Sequence, residues 1–237
     1  MSLEQKARDK AEAARSAHLR GLSPKDAARV IDQTFLHPDA TWKQVEEFIT
    51  HSDNKGFRSL VVNPNHAEAA VKQCKTPVVS VAGFPMGFQR LETKIKEAQL
   101  LIQRGVSEID YVVDIGAAKA GQWSLITNEA KAMVDAGAPV KAIIEAGLLS
   151  NSEKVSAAKA LADAGVAYVK TSTGFLAGGA TLFDTALLSL AVEGYGTGVK
   201  ASGGVRTLEA VERFLMAGAD VIGTSSGLKI LTEASEA

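Results

Sequence analysis

Five glycines most constrain what this chain can fold into. Gly56, Gly105, Gly137, Gly165 and Gly218 each fall just past an amphipathic stretch and just before a short apolar run. That is where a glycine closing a helix in the left-handed region belongs. From Gly105 to Gly137 is 32 residues, and from there to Gly165 is 28, a spacing that marks repeated βα units. The apolar runs are Val30–Leu36, Phe57–Val62, Pro77–Ala82, Glu108–Val113, Val140–Ile144, Val166–Lys170, Gly198–Ala201 and Asp220–Gly223. Most are rich in Val and Ile without polar alternation, as expected for strands buried on both faces of a parallel sheet. Helical stretches run between them: Thr41–Lys55, His66–Gln73, Leu91–Arg104, Leu125–Asp135, Ser152–Asp163, Leu182–Glu193 and Leu208–Met216. Thr41-x-x-Gln44 forms a capping box at the first. Eight strands alternating with helices predict an α/β fold of (β/α)8 barrel type. An open doubly wound sheet would usually carry a GxGxxG turn after its first strand, and this chain has none.

The 237 residues suffice for one such barrel and a substantial core. Only 5% are aromatic, so aliphatic and small residues must do most of the packing. Residues 29–237 are expected to form a single barrel domain. Residues 1–28 read as an N-terminal helical extension, with a helix over 3–19 and a second starting at Ser23-Pro24, where Ser caps and Pro fills the first turn. The extension either packs across one end of the domain or mediates a subunit contact, such as a homodimer. Net charge is -1, with no basic cluster, which argues against nucleic-acid and membrane partners. The charged N-terminus has no apolar signal region, and no run reaches membrane-span length, so a cytoplasmic location is expected. Cys74 is the only cysteine, which rules out an intrachain disulfide and fits a reducing compartment.

In a barrel of this type the active site lies at the C-terminal strand ends. Lys170 ends the run Val166-Ala-Tyr-Val-Lys. Desolvation there would lower its pKa and free an amine to attack a carbonyl, although a strand-end lysine can equally snorkel to the rim or pair with a carboxylate. Lys200 ends the next run, so the two amines should lie close together; it also suits phosphate binding. Asp110, which shares its side of the strand with Glu108, is placed to pair with Lys200 and relay protons, or to form a structural ion pair. Asp114 is a weaker candidate. Lys141 and Glu145 read as a buried structural pair with neighbouring charges. Asp32 and Thr34 face inward together from the first strand.

Two glycine-containing loops, Gly203-Gly204 and Gly223-Thr-Ser-Ser-Gly227, follow the seventh and eighth strands, the usual place for a barrel phosphate site. Gly174 adds a candidate N–H, and Arg206 serves phosphate or solvent. His18, His37, His51 and His66 have no metal-ligand spacing and read as surface or loop residues. No metal and no cofactor are expected. Cys74 reads as a structural thiol.

Several segments resemble the deoxyribose-phosphate aldolase family: Ile31-Asp-Gln-Thr-Phe-Leu-His-Pro-Asp-Ala-Thr41, Phe84-Pro-Met-Gly87, Glu108-Ile-Asp-Tyr-Val-Val113, Val169-Lys-Thr-Ser-Thr-Gly174, Val199-Lys-Ala-Ser-Gly-Gly-Val-Arg-Thr207 and Ile222-Gly-Thr-Ser-Ser226. The resemblance spans roughly residues 31–231. It implies a metal-free Schiff-base lyase that interconverts 2-deoxy-D-ribose 5-phosphate with acetaldehyde and D-glyceraldehyde 3-phosphate in deoxyribonucleotide catabolism. By matching motifs, Lys170 would form the Schiff base, Lys200 would perturb its pKa and transfer protons, and Asp110 would donate and accept protons. Substrate contacts would come from Asp32, Thr34, Thr173, Gly174, Gly203, Gly204, Ser225 and Ser226. The chain departs from the common pattern at Gln33, Phe35 and His37, at Val61, and at Glu145-Ala146, where Thr usually follows Glu. Two alternatives share some of these features. Another Schiff-base sugar-phosphate lyase would differ in its products, and a non-catalytic sugar-phosphate-binding barrel would tolerate loss of Lys170.

Overall fold

The Val- and Ile-rich runs become eight parallel strands that close on themselves in sequence order. They are β1 (Ile31–Phe35), β2 (Ser59–Val62), β3 (Val78–Ala82), β4 (Glu108–Val112), β5 (Val140–Ile143), β6 (Tyr168–Lys170), β7 (Gly198–Ser202) and β8 (Val221–Thr224). Each pairs with the next, and β8 returns to β1, giving the expected (β/α)8 barrel. The computed structural model describes residues 1–176 and 178–236; Ala177 and Ala237, both assigned by sequence to the barrel domain, lie outside them.

The helices are α1 (Leu3–Ser16), α2 (Pro24–Val30), α3 (Trp42–Ser52), α4 (Pro64–Gln73), α5 (Leu91–Gln103), α6 (Ile115–Lys119), α7 (Trp123–Val134), α8 (Asn151–Asp163), α9 (Leu182–Ala191), α10 (Leu208–Met216) and α11 (Gly227–Glu236). The capping box at Thr41 forms as expected, and a second forms at Ser150 with Glu153. All five punctuating glycines adopt positive φ, from +83° at Gly56 to +106° at Gly137. Three elements escaped the sequence pattern: α6, α11 and a 3-10 helix at Ala146–Leu148. α6 and the 3-10 helix are too short to show a helical period. α11 follows β8 directly, at the phosphate-type loop, so its start was read as loop.

Most of the apolar core lies between the strands and the surrounding helices, where Ile109, Tyr111, Val140 and Val169 meet Ala98, Ile126 and Leu161. Inside the barrel, only one side is apolar. There Val61, Val79 and Val81 of β2 and β3 form a small cluster. β1, β4, β5, β6 and β7 send Asp32, Asp110, Lys141, Lys170 and Lys200 inward.

In the extension, α1 ends at Ser16 and packs on α9 and α10 of its own barrel. Ala7, Ala11 and Ala14 form its buried face, and Lys10 Nζ donates to Ser189 Oγ at 3.1 Å. The link to α2 is held by one side chain: Glu212 is 4% exposed and accepts the N–H groups of Arg20 at 2.8 Å and Leu22 at 3.0 Å. Glu212→Ala leaves both donors without an acceptor. It should cost about 1–3 kcal/mol and make the segment around residues 17–22 a preferred cleavage site in limited proteolysis. An unchanged cleavage pattern and denaturation midpoint would refute this anchoring role. No helix among the described residues is long and apolar enough to cross a membrane.

Candidate active site

Strand register brings the charges together. Asp110 on β4 lies opposite Lys141 on β5, and Lys170 on β6 lies opposite Lys200 on β7. The Oδ2 of Asp110 accepts from Lys170 Nζ at 2.8 Å and from Lys200 Nζ at 2.7 Å, and its Oδ1 accepts from Lys141 Nζ at 3.0 Å. Lys200 also donates to Asp32 Oδ2 at 2.6 Å. Arg58, just before β2, donates to Asp32 at 2.8 Å and to both oxygens of Glu108, while Lys141 also pairs with Glu108. Ser59 Oγ completes the shell of Asp32 at 2.7 Å. Glycine at 223 is what lets Lys200 reach this cluster, since a Cβ there would lie 3.0 Å from Lys200 Cε and 2.8 Å from Ser202 Cβ.

The cluster holds four cationic side chains, Arg58, Lys141, Lys170 and Lys200, against three carboxylates, Asp32, Glu108 and Asp110. An uncompensated charge in a desolvated site is costly, and the usual remedy is loss of a proton. The balance falls on Lys170. Burial, helped by the ammonium of Lys200, lowers its pKa to about 8 from an ordinary 10.5, against the opposing pull of Asp110. At Lys141 burial also favours the neutral form, but Asp110, Asp32 and Glu108 outweigh it and raise the pKa. Burial alone would raise Asp110, yet Lys141, Lys170 and Lys200 hold it well below the usual carboxylate range. The same contest at Asp32 is won by Lys200, Lys141 and Arg58. Desolvation thus ranks ahead of the neighbouring lysine in activating Lys170.

Above the cluster, at the C-terminal strand ends, opens a cavity of about 360 Å³. Lys170 lines it, and so do Thr34 and Thr173. Gly174, Gly203, Gly204 and Ser225, expected from the sequence to meet a phosphate, also line it. Asp110, Lys200 and Asp32 do not line it; each is 0% exposed and lies behind Lys170. Ser226 stands at the start of α11, and its N–H is already used by Thr224 Oγ1 at 2.9 Å.

Several side chains take places that the sequence had not shown. Arg58 had carried no role, yet it clamps Asp32 and Glu108. Glu145 does not share Lys141's partners; its Oε2 accepts from the N–H and hydroxyl of Thr173. His37, read as a surface or loop residue, lines the cavity together with Arg206 and Phe175. Its position just past β1 was the available signal, because residues following a barrel strand face the active-site mouth. Gln33, one of the departures in the first strand, accepts the Gly227 N–H at 2.9 Å and so ties β1 to the start of α11. Asp114 caps α6 through the Ala117 N–H at 2.9 Å. Burial, reinforced by Asp53, pushes the Cys74 thiol up to about 11, which suits an inert thiol.

A family model described as DeoC/LacD family aldolase matches residues 27–233. A deoxyribose-phosphate aldolase of Geobacillus sp. (strain WCH70) is 44% identical over 210 residues, covering 86% of this chain and 94% of the relative. Among solved structures, one described as QR15, an aldolase, superposes with a TM-score of 0.86 at 36% identity, covering 89% of this chain and 96% of its own. A deoxyribose phosphate aldolase from Aeropyrum pernix, described as a unique tetramer, gives 0.84 at 33% identity, covering 97% and 98%. Barrel, buried lysine pair and likeness along nearly the whole length agree, and the chain belongs to the DeoC/LacD family of aldolases.

Proposed function

We propose that this protein is a deoxyribose-phosphate aldolase that cleaves 2-deoxy-D-ribose 5-phosphate reversibly into acetaldehyde and D-glyceraldehyde 3-phosphate through an imine at Lys170. One observation carries the reading. Among the described residues, Lys170 is the amine of the buried cluster that reaches the cavity, and it is also the one whose pKa is lowered, to about 8. A neutral amine at the cavity floor attacks the C1 carbonyl of the open-chain sugar, and water leaves to give an iminium. The iminium draws electrons from the C2–C3 bond. Loss of the C3 hydroxyl proton breaks that bond, releasing D-glyceraldehyde 3-phosphate and leaving an enamine on Lys170. Protonation at C2 and hydrolysis return acetaldehyde and the free amine.

Asp110 touches Lys170 and Lys200 directly, at 2.8 and 2.7 Å, which places it to pass a proton between Lys170, Lys200 and a water. Lys200 stands beside the amine and helps to lower its pKa. Asp32 acts from below by holding Lys200, and Thr34 offers its hydroxyl to the sugar, whereas the Thr173 hydroxyl, expected to do the same, is taken up by Glu145 and the Phe175 N–H. Gly174, Gly203, Gly204 and Ser225 receive the phosphate, and Ser226 has only its hydroxyl to add, since its own N–H and that of Gly227 are held by Thr224 and Gln33.

Borohydride reduction in the presence of acetaldehyde, followed by peptide mass analysis, tests the central step. The expected result is a stable adduct at Lys170 alone. No adduct anywhere, or an adduct only at Lys200, overturns the assignment.

A further inference from the structure

We infer that Glu145 is a positioning residue that holds the phosphate-binding wall in place, a role that rests on the aldolase reading above. Glu145 follows β5 and adopts φ +47° and ψ 64°. Among the described non-glycine residues only Asn54 shares a positive φ. Such a backbone is strained for a glutamate and persists where its surroundings over-determine it. The side chain is 0% exposed. Its Oε2 accepts the Thr173 hydroxyl at 2.6 Å and the Thr173 N–H at 3.0 Å. Its Oε1 is buried with no hydrogen-bond partner. Both features cost stability, so a requirement other than packing must keep this residue here.

That requirement lies across the barrel mouth. The one proton of the Thr173 hydroxyl goes to Glu145, so its oxygen is left to accept the Phe175 N–H at 3.1 Å. The pair of bonds closes a turn over Gly174. Gly174 in turn abuts Gly203, on the neighbouring phosphate loop. A Cβ on Gly203 would lie 3.6 Å from the Gly174 Cα and 2.9 Å from the Gly179 Cα, and the Gly203 carbonyl accepts the Ala180 N–H at 3.0 Å. At Gly174, Gly179 and Gly203 the loops after β6 and β7 therefore meet backbone against backbone, and below them Thr171 and Ser202 tie the same two segments through their hydroxyls. Glu145 fixes the first loop, and the first loop fixes the second. The inference concerns recognition of the phosphate and leaves the imine chemistry at Lys170 untouched.

The test compares Glu145→Gly and Glu145→Gln with the wild-type protein. Turnover is measured on 2-deoxyribose 5-phosphate and on unphosphorylated 2-deoxyribose, and the acetaldehyde adduct is trapped with borohydride. Glycine relaxes the left-handed backbone, so Glu145→Gly keeps the fold while removing the carboxylate. Its KM for the phosphorylated sugar should rise about tenfold or more, equivalent to roughly 1.4 kcal/mol. Its kcat, its turnover of 2-deoxyribose and its Lys170 adduct should stay near wild type. Glu145→Gln keeps an acceptor oxygen for Thr173 and should remain within about threefold of wild type in every reading. An undiminished preference of Glu145→Gly for the phosphorylated sugar overturns the inference, and so does an equal loss on both sugars. If Glu145→Gly does not fold, Thr173→Val decides. Loss of its hydroxyl should lower the same preference, and an unchanged preference overturns the role. A wild-type protein that gives no Lys170 adduct defeats the aldolase reading, and this inference with it.

Discussion

Lys170→Met should lose turnover by roughly 10⁴-fold or more while making the protein more stable at neutral pH. The first effect follows from removing the proposed nucleophile. The second follows from the charge count in the barrel. With Met at 170, Arg58, Lys141 and Lys200 face Asp32, Glu108 and Asp110, three against three, and no desolvated charge remains in excess. Lys170 sits at about 8 in the folded protein and near 10.5 when unfolded. Between those values the unfolded chain holds the extra proton, so wild-type stability rises with pH across that window. Below about pH 8 the full penalty is present, on the order of 3 kcal/mol from the size of the shift. The lost hydrogen bond to Asp110 offsets part of it, so a net gain of about 1–2 kcal/mol, or several degrees in Tm, is expected at pH 7. The gap should close towards pH 10. Melting curves for both proteins at pH 7 and pH 10 test this. A variant less stable than wild type at pH 7, or a gap that widens with pH, would show that Lys170 contributes to the fold in its charged form.

Lys200→Leu should also lower activity at neutral pH, by a different route, and should destabilise the protein where Lys170→Met stabilises it. It too makes the cluster three against three, but now Lys170 is one of the three cations needed for balance. Asp110 continues to favour the Lys170 ammonium while the repulsion from Lys200 is gone. The pKa of Lys170 should therefore climb, and the rate of imine formation with acetaldehyde should reach its plateau about one pH unit or more above that of wild type. At pH 7 the rate should fall about tenfold or more, since each unit removes a factor of ten in free amine. Stability should also drop, by about 3–5 kcal/mol, because Asp32 and Asp110 lose donors at 2.6 and 2.7 Å while remaining buried. Single-turnover trapping across pH 6–10 separates the two effects, since a merely destabilised enzyme would keep the wild-type profile. An unchanged midpoint would remove Lys200 from any part in tuning Lys170.

Opposite stability changes from two lysines whose Cα atoms sit opposite each other on adjacent strands would distinguish their parts. One carries the surplus charge that chemistry uses, and the other holds the carboxylates that make the surplus tolerable. Enzymes commonly give up stability at such sites.

The amino-acid pattern alone determined the barrel. Glycines at helix ends, unbroken apolar strands and their spacing are local signals, and a parallel strand covered on both faces leaves the same trace wherever it occurs. The same reasoning picked out Lys170, Lys200 and Asp110, because a charged side chain within or ending an apolar strand stands out from its neighbours; Lys200, expected at a strand end, lies in the middle of β7. Tertiary structure alone decided how those charges are balanced. Arg58 reaches Asp32 and Glu108 across 26 and 50 residues of chain, and Glu145 turns from Lys141's partners to Thr173. These pairings depend on strand register, barrel closure and the room left by Gly223, none of which is written in local periodicity. Desolvation likewise exists only once the barrel has closed, and it is what lowers Lys170 first.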